Sequence, residues 1–214
     1  MTRDQLGYVR LLSPGLCFVL LVWTLLAPAG FTLASLSKVW PILLLFAAGF
    51  GVVYLALDLR GELVKSIMRP VDDNIVGRLL ASLRPGDLSE EAMTRLRQGR
   101  SVMNVFYQQI DNDKSIQIRR NRVFDNGAYI STTADVAIFS IAGFVAQMTF
   151  ALVDNPVRHI CLAIVSLGLG WFCRQVLLAK LGARHLQLSN EQLDFIAAHK
   201  SGQVREAIQR AAGH

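Results

Sequence analysis

The chain has 214 residues, a net charge of +6 and a mean hydropathy of +0.38, with 52% hydrophobic and only 18% charged residues. A soluble domain carries about 25% charged residues, so this much apolar surface calls for a bilayer, and disordered, collagenous and disulfide-scaffold classes are excluded. Cys17, Cys161 and Cys173 form no CxxC pair and lie in apolar runs, which reads as small buried hydrophobes rather than a disulfide or zinc site.

Four stretches have the length of membrane spans, because crossing ~30 Å of hydrocarbon takes about 20 residues. The first lies between Arg10 and Lys38, with its apolar heart from Leu16 to Phe31, and is taken as span 11–31. Ala27-Pro28-Ala29 has the small-residue spacing of a signal-peptide cleavage site, but the run is read as a retained span. Span 39–58 follows, then span 135–154 and span 158–179. The fourth is interrupted by Arg174, which a snorkelling side chain accommodates near the inner end; pairing with Asp58 or Asp135 is the alternative. Pro28 and Gly30 join the first pair, and Asp154-Asn155-Pro156 joins the second, each a turn signal.

The expected fold is therefore all-α: an integral membrane protein with four transmembrane helices in two hairpins and a helical cytoplasmic domain between them. Its parts are a first hairpin over 1–58, a cytoplasmic domain over 59–133, a second hairpin over 134–180 and a helical tail over 181–214. Of the 22 Lys and Arg, 20 fall in the N-terminus, the long loop and the tail, and two fall in the outer loops. Positive charge stays inside, which places both termini and the loop in the cytoplasm. That asymmetry explains the basic balance without nucleic acid.

In the long loop, the second span is expected to continue inward to Met68 and stop before Pro70, with a short helix over Asp73–Leu83. Asp87-Leu88-Ser89-Glu90 forms a capping start. Beyond it Ala92, Leu96, Gly99, Met103, Phe106 and Ile110 recur at spacings of four and three. The stripe packs a small helical domain or, alternatively, joins protomers through Leu96, Met103, Phe106 and Ile110. Asp111-Asn112-Asp113 opens like a calcium loop, but Ile116 replaces the glycine and Arg122 the final glutamate, so a helix-ending turn fits better. Arg119, Arg120 and Arg122 stand near the membrane surface and suit anionic lipid headgroups or an acidic partner. Thr132 to Asp135 reads as the cap of the third span. Ser189-Asn190-Glu191-Gln192 reads as the cap of an amphipathic tail helix that Gly202 kinks.

Within the spans, Ser140, Gln147, Thr149 and Arg174 are the polar candidates, either as ties between helices or as pore lining. Ala47/Gly51, Ala142/Ala146 and Ser166/Gly170 are small-xxx-small pairs that permit close helix packing. No phosphate-loop, zinc-hydrolase or nucleophile-elbow pattern occurs, the four histidines have no i, i+4 pair, and no cofactor or metal is expected.

The leading expectation is a homo-oligomeric inner-membrane scaffold or sensor that couples membrane state to a soluble cytoplasmic partner. The alternative is an oligomeric ion-conducting or membrane-permeabilising pore gated from the cytoplasm. A lipid-modifying enzyme would need a carboxylate or histidine cluster at the interface; Asp58, Asp135 and the arginines are present, but nothing in the sequence shows that they converge. The layout of two hairpins around a cytoplasmic helical loop resembles small membrane subunits of bacterial anti-phage systems, which work beside a soluble partner. The likeness is one of layout, and it implies a role in anti-phage defence.

Overall fold

A computed structural model describes residues 3–26, 33–83, 88–98, 100–111 and 117–213, and the side chains of these except at 3, 4, 26, 33–40 and 117–119. More than nine-tenths of the described residues are helical, and none of them is in a strand. The helices are α1 (Arg3–Leu26), α2 (Leu33–Ala56), α3 (Gly61–Ala81), α4 (Glu90–Gln98), α5 (Ser101–Asp111), α6 (Gln117–Phe150), α7 (Pro156–Phe172), α8 (Leu178–His199) and α9 (Ser201–Ala212). One π turn, Cys173–Leu177, stands between α7 and α8.

The chain divides into two compact units: Thr2–Lys65 with Gly127–Leu181, and Ser66–Asn126 with Gly182–His214. It passes from one to the other three times, inside α3, α6 and α8 each time. Three helical stretches are long and apolar enough to cross a membrane: Gln5–Leu25, Arg120–Phe150 and Pro156–His199. A fourth joins them if Pro41–Ala56 and Gly61–Ala81, bent by 61°, count as one span.

The first unit turns its apolar residues outward. Leu45 is 76% exposed, and Phe46, Val52, Ile164 and Trp171 are likewise on the surface. Inside, the backbones of α1 and α2 touch. A Cβ built on Gly15 would strike the Ala47 carbonyl, and one on Gly51 the Leu11 carbonyl, so only glycine allows this approach. Phe18 stacks on Phe50 at 4.2 Å, and Phe139 of α6 meets Phe50 and Tyr54 at 5.9 and 5.6 Å. Of the other small pairs, Gly170 faces Ser140 and Ala137 of α6, whereas Ala142 lies exposed.

The second unit has the opposite pattern. Val71, Ile75, Leu79 and Leu80 of α3 pack with Leu96 of α4, Val102, Phe106 and Ile110 of α5, Leu193 and Ile196 of α8 and Val204 and Ile208 of α9. Each such burial contributes roughly 1.5–3 kcal/mol. Ser89 caps α4, its hydroxyl accepting the Ala92 amide at 3.3 Å.

Several helix boundaries differ from the sequence expectation, each for a physical reason. α3 runs straight through Pro70. The four apolar side chains that follow, 2–4% exposed, outweigh the roughly 3 kcal/mol that an interior proline costs. The break comes earlier, at 57–60, where Asp58 takes a positive φ of 48° and a Cβ on Gly61 would run into the Asp58 carboxylate. α6 does not start at Thr132 but runs unbroken from Gln117; Asp135 faces inward instead of capping. Ser189 does not begin a helix either. Its hydroxyl donates to the His185 carbonyl at 2.9 Å inside α8, and the break expected at Gly202 falls at Lys200, between α8 and α9. The expected stripe of α4 and α5 is interrupted between Gln98 and Ser101. Asn112 and Asp113 lie outside the described residues.

The π turn has a simple cause. Cys173 and Leu178 are both buried, five residues apart, while an α-helix repeats a face every 3.6 residues. One extra residue in the turn, with the Leu178 amide donating to the Cys173 carbonyl, keeps both side chains inward.

Candidate functional site

The first unit buries two polar clusters in an otherwise apolar interior. At the centre of the first is Asp135, its side chain fully buried on α6. Ser13 of α1 donates its hydroxyl to Asp135 Oδ2. Arg60, at the α2–α3 break, donates Nη1 to the same oxygen at 2.9 Å and Nη2 to the Arg10 carbonyl at 3.5 Å. The Tyr54 hydroxyl of α2 and Asp135 Oδ1 are buried with no hydrogen-bond partner among the described residues. An unpaired charge in such surroundings is prohibitive, so Asp135 and Arg60 hold each other in place. The cluster ties α1, the α2–α3 break and α6 together.

The second cluster spans α1, α6 and α7. The Thr24 hydroxyl spends its hydrogen on the Leu21 carbonyl at 2.7 Å. Its oxygen therefore accepts from Gln147 Nε2, at 3.4 Å. That orientation leaves Gln147 Oε1 to accept from His159 Nδ1, at 2.6 Å. The other ring nitrogen, Nε2, faces Asp154 Oδ2 at 3.2 Å, and Phe150 lies against the ring at 5.8 Å. Gln147 and His159 are 1% and 0% exposed. Asn155 caps α7 by accepting the Arg158 amide at 3.3 Å, with Pro156 at the first helical position.

The residues singled out from the sequence fall in different places. Gln147 belongs to the second cluster. Ser140 is buried beside Gly170, and Thr149 is exposed, its hydroxyl donating to the Val145 carbonyl at 3.0 Å. Arg174 is exposed on the π turn, so the partner of Asp135 is Arg60 and not Arg174. Asp58 instead meets Lys65 at 3.6 Å on the surface. Arg120 pairs with Asp111 at 3.3 Å and lies 5.8 Å from the centre of the Phe124 ring. Arg122 is exposed, and the Arg119 side chain is outside the described residues. Leu96, Phe106 and Ile110 are 3–4% exposed, and Met103 packs beside them, all within the chain's own core.

Ser13, Tyr54, Arg60 and His159 were not singled out from the sequence. Arg60 carried a signal, a charge closing an apolar run, and His159 had one in its place three residues after a turn proline. Among the described residues, no group of three or more His, Cys, Asp or Glu side chains is placed to hold a metal ion. No protein-family model, no curated protein and no solved structure matches the chain.

Proposed function

We propose that this chain is a four-span protein of the bacterial inner membrane, with both termini and the helical domain in the cytoplasm. It works as a homo-oligomeric scaffold or sensor subunit in anti-phage defence that passes the state of the membrane to a soluble partner. The supporting observation is the Asp135–Arg60–Ser13 cluster, which holds α6 and the start of α3, two of the helices whose residues are shared between the units. A helix is a stiff element, and all three crossings between units lie inside helices. A shift of α6 or of the α2–α3 break is thus carried into the second unit rather than absorbed by a loop. The charge asymmetry supports the orientation. The pore reading is less favoured because Gln147 and Ser140, two polar residues in the C-terminal half of α6, face α7 of the same chain, Gln147 hydrogen-bonded to His159 and Ser140 packed against Gly170.

Two measurements test this reading. Single cysteines at Asn155, Tyr107 and Gln187, in a chain with the natural cysteines replaced, are labelled with a membrane-impermeant maleimide on spheroplasts. Labelling at 155 alone is expected, and labelling at 107 or 187 overturns the topology. Hydrogen exchange in α5 and α9 is then compared between the wild type and Asp135→Asn in lipid nanodiscs. Faster exchange in the variant supports coupling, and identical exchange removes it.

A further inference from the structure

The second unit carries an open groove between α5 and α9, with a cavity volume of about 370 Å³. It exists because Ala207 and Ala211, one turn apart on α9, are too small to fill the space beside Val105. Its walls are polar. Ser101, Asn104 and Gln108 of α5 form no side-chain hydrogen bond to another described residue. Arg210 of α9 donates Nε to the Glu206 carbonyl at 3.3 Å, and its two Nη groups meet no partner among the described residues. No carboxylate lines the groove among the described residues.

Asn104 and Gln108 are four residues apart on one helix face, an axial rise of about 6 Å. An extended chain advances about 6.6 Å in two residues. Each amide offers an NH₂ donor group and a carbonyl acceptor, so the pair matches the N–H and C=O of alternate peptide units. A helical partner has already paired those groups internally and gains nothing there. Arg210 supplies the fork that takes a carboxylate, and the alanine floor admits small side chains.

We propose that the α5–α9 groove docks an extended acidic peptide segment of the cytoplasmic partner, its backbone held by Asn104 and Gln108 and a carboxylate by Arg210. The identity of the occupant as that partner's segment rests on the coupling reading; the groove's chemistry does not.

The full chain in detergent is titrated into a fluorescein-labelled peptide of alternating Ala and Glu, with binding followed by fluorescence polarisation. The double variant Asn104→Leu/Gln108→Leu, which leaves the charge unchanged, is expected to weaken binding by about tenfold. Arg210→Gln is expected to weaken it by a similar factor. Arg184→Gln, an exposed arginine outside the groove, leaves it unaltered. N-methylation of alternate peptide bonds weakens binding to the wild type but not to the double variant. Because the substituted side chains line an open surface groove, thermal unfolding of each variant matches the wild type; Asn104→Ser/Gln108→Ser serves if the leucines disturb it. No binding, or equal loss on Arg184→Gln, overturns the proposal in favour of general charge attraction. Full competition by millimolar phosphate overturns it in favour of a free anion. Binding that persists where Asp135→Asn leaves hydrogen exchange unchanged keeps the groove and discards the coupling reading.

Discussion

The two units of this chain solve the folding problem with opposite surfaces. The second hides Ile75, Val102, Ile196 and Ile208 and exposes its charges. The first exposes Leu45, Phe46 and Val52 and hides Asp135, Arg60, Gln147 and His159. Water explains the former: apolar area removed from it contributes about 25 cal/mol per Å². That gain vanishes where the surroundings are hydrocarbon, and close backbone contact, as between Gly15 and Ala47, and satisfied polar pairs take over. In the second unit a buried polar group is an exception to be compensated. In the first, buried polar groups are the specific ties between helices.

Breaking the central tie should have the largest effect. Asp135→Ala leaves Arg60 buried without its counter-charge, and losing one partner of a buried pair costs about 3–5 kcal/mol. Unfolding of the first unit in mixed micelles measures it. Arg60→Met/Asp135→Leu should recover most of the loss, since removing both charges removes the desolvation penalty too. If both single variants are silent, the cluster is not holding these helices. The matching test in the second unit is Ile208→Ala, at 0% exposure, expected to cost about 2–5 kcal/mol through transfer and cavity terms. Chemical denaturation monitored on α9 reads it, and the first unit should be unaffected.

Gln147→Leu sharpens the comparison. Interhelical hydrogen bonds in membranes average about 0.6 kcal/mol and reach about 1.7. The variant should therefore destabilise the α6–α7 hairpin by no more than about 2 kcal/mol. It should also free the His159 ring, visible as loss of a single ring orientation by NMR. An unchanged ring environment would show that Asp154 alone positions it.

How much of this was legible in sequence follows from the range of each interaction. The four apolar runs are local, and so is the turn at Asn155-Pro156. The five-residue step from Cys173 to Leu178 was readable as a phase slip, had burial been assigned to both. Asp135 stood out as a carboxylate at the head of an apolar run. Its partners did not, because Arg60 is 75 residues away and Ser13 is 122 away, and no periodicity reports such pairings. Arg174, which alone breaks an apolar stretch, offers Asp135 an alternative partner on paper, but on the π turn it is exposed. The stop expected at Pro70 failed because burial of the residues after it outweighed a local preference.

The smallest expected effect concerns Asp72, half-buried on α3. Burial first, then the Asp73 charge beside it, raises its carboxyl above the ordinary value of 3.8, and the Arg100 guanidinium opposes them. Such a group binds more protons folded than unfolded. Its contribution to stability is complete below about pH 3.8 and is lost as the pH climbs through the raised folded value. Asp72→Asn should therefore stabilise the second unit at pH 7 and do nothing relative to wild type at pH 3.5. The gain should stay below about 1 kcal/mol, because water screens a carboxylate this exposed. Arg100→Gln should act in the opposite direction at pH 7, by removing the charge that favours the ionised form. Hydrogen exchange at the α3 amides, followed against pH in both variants, distinguishes the two signs. A wild-type profile that rises with pH where the Asp72→Asn profile is flat would mean that Arg100 outweighs burial at this site.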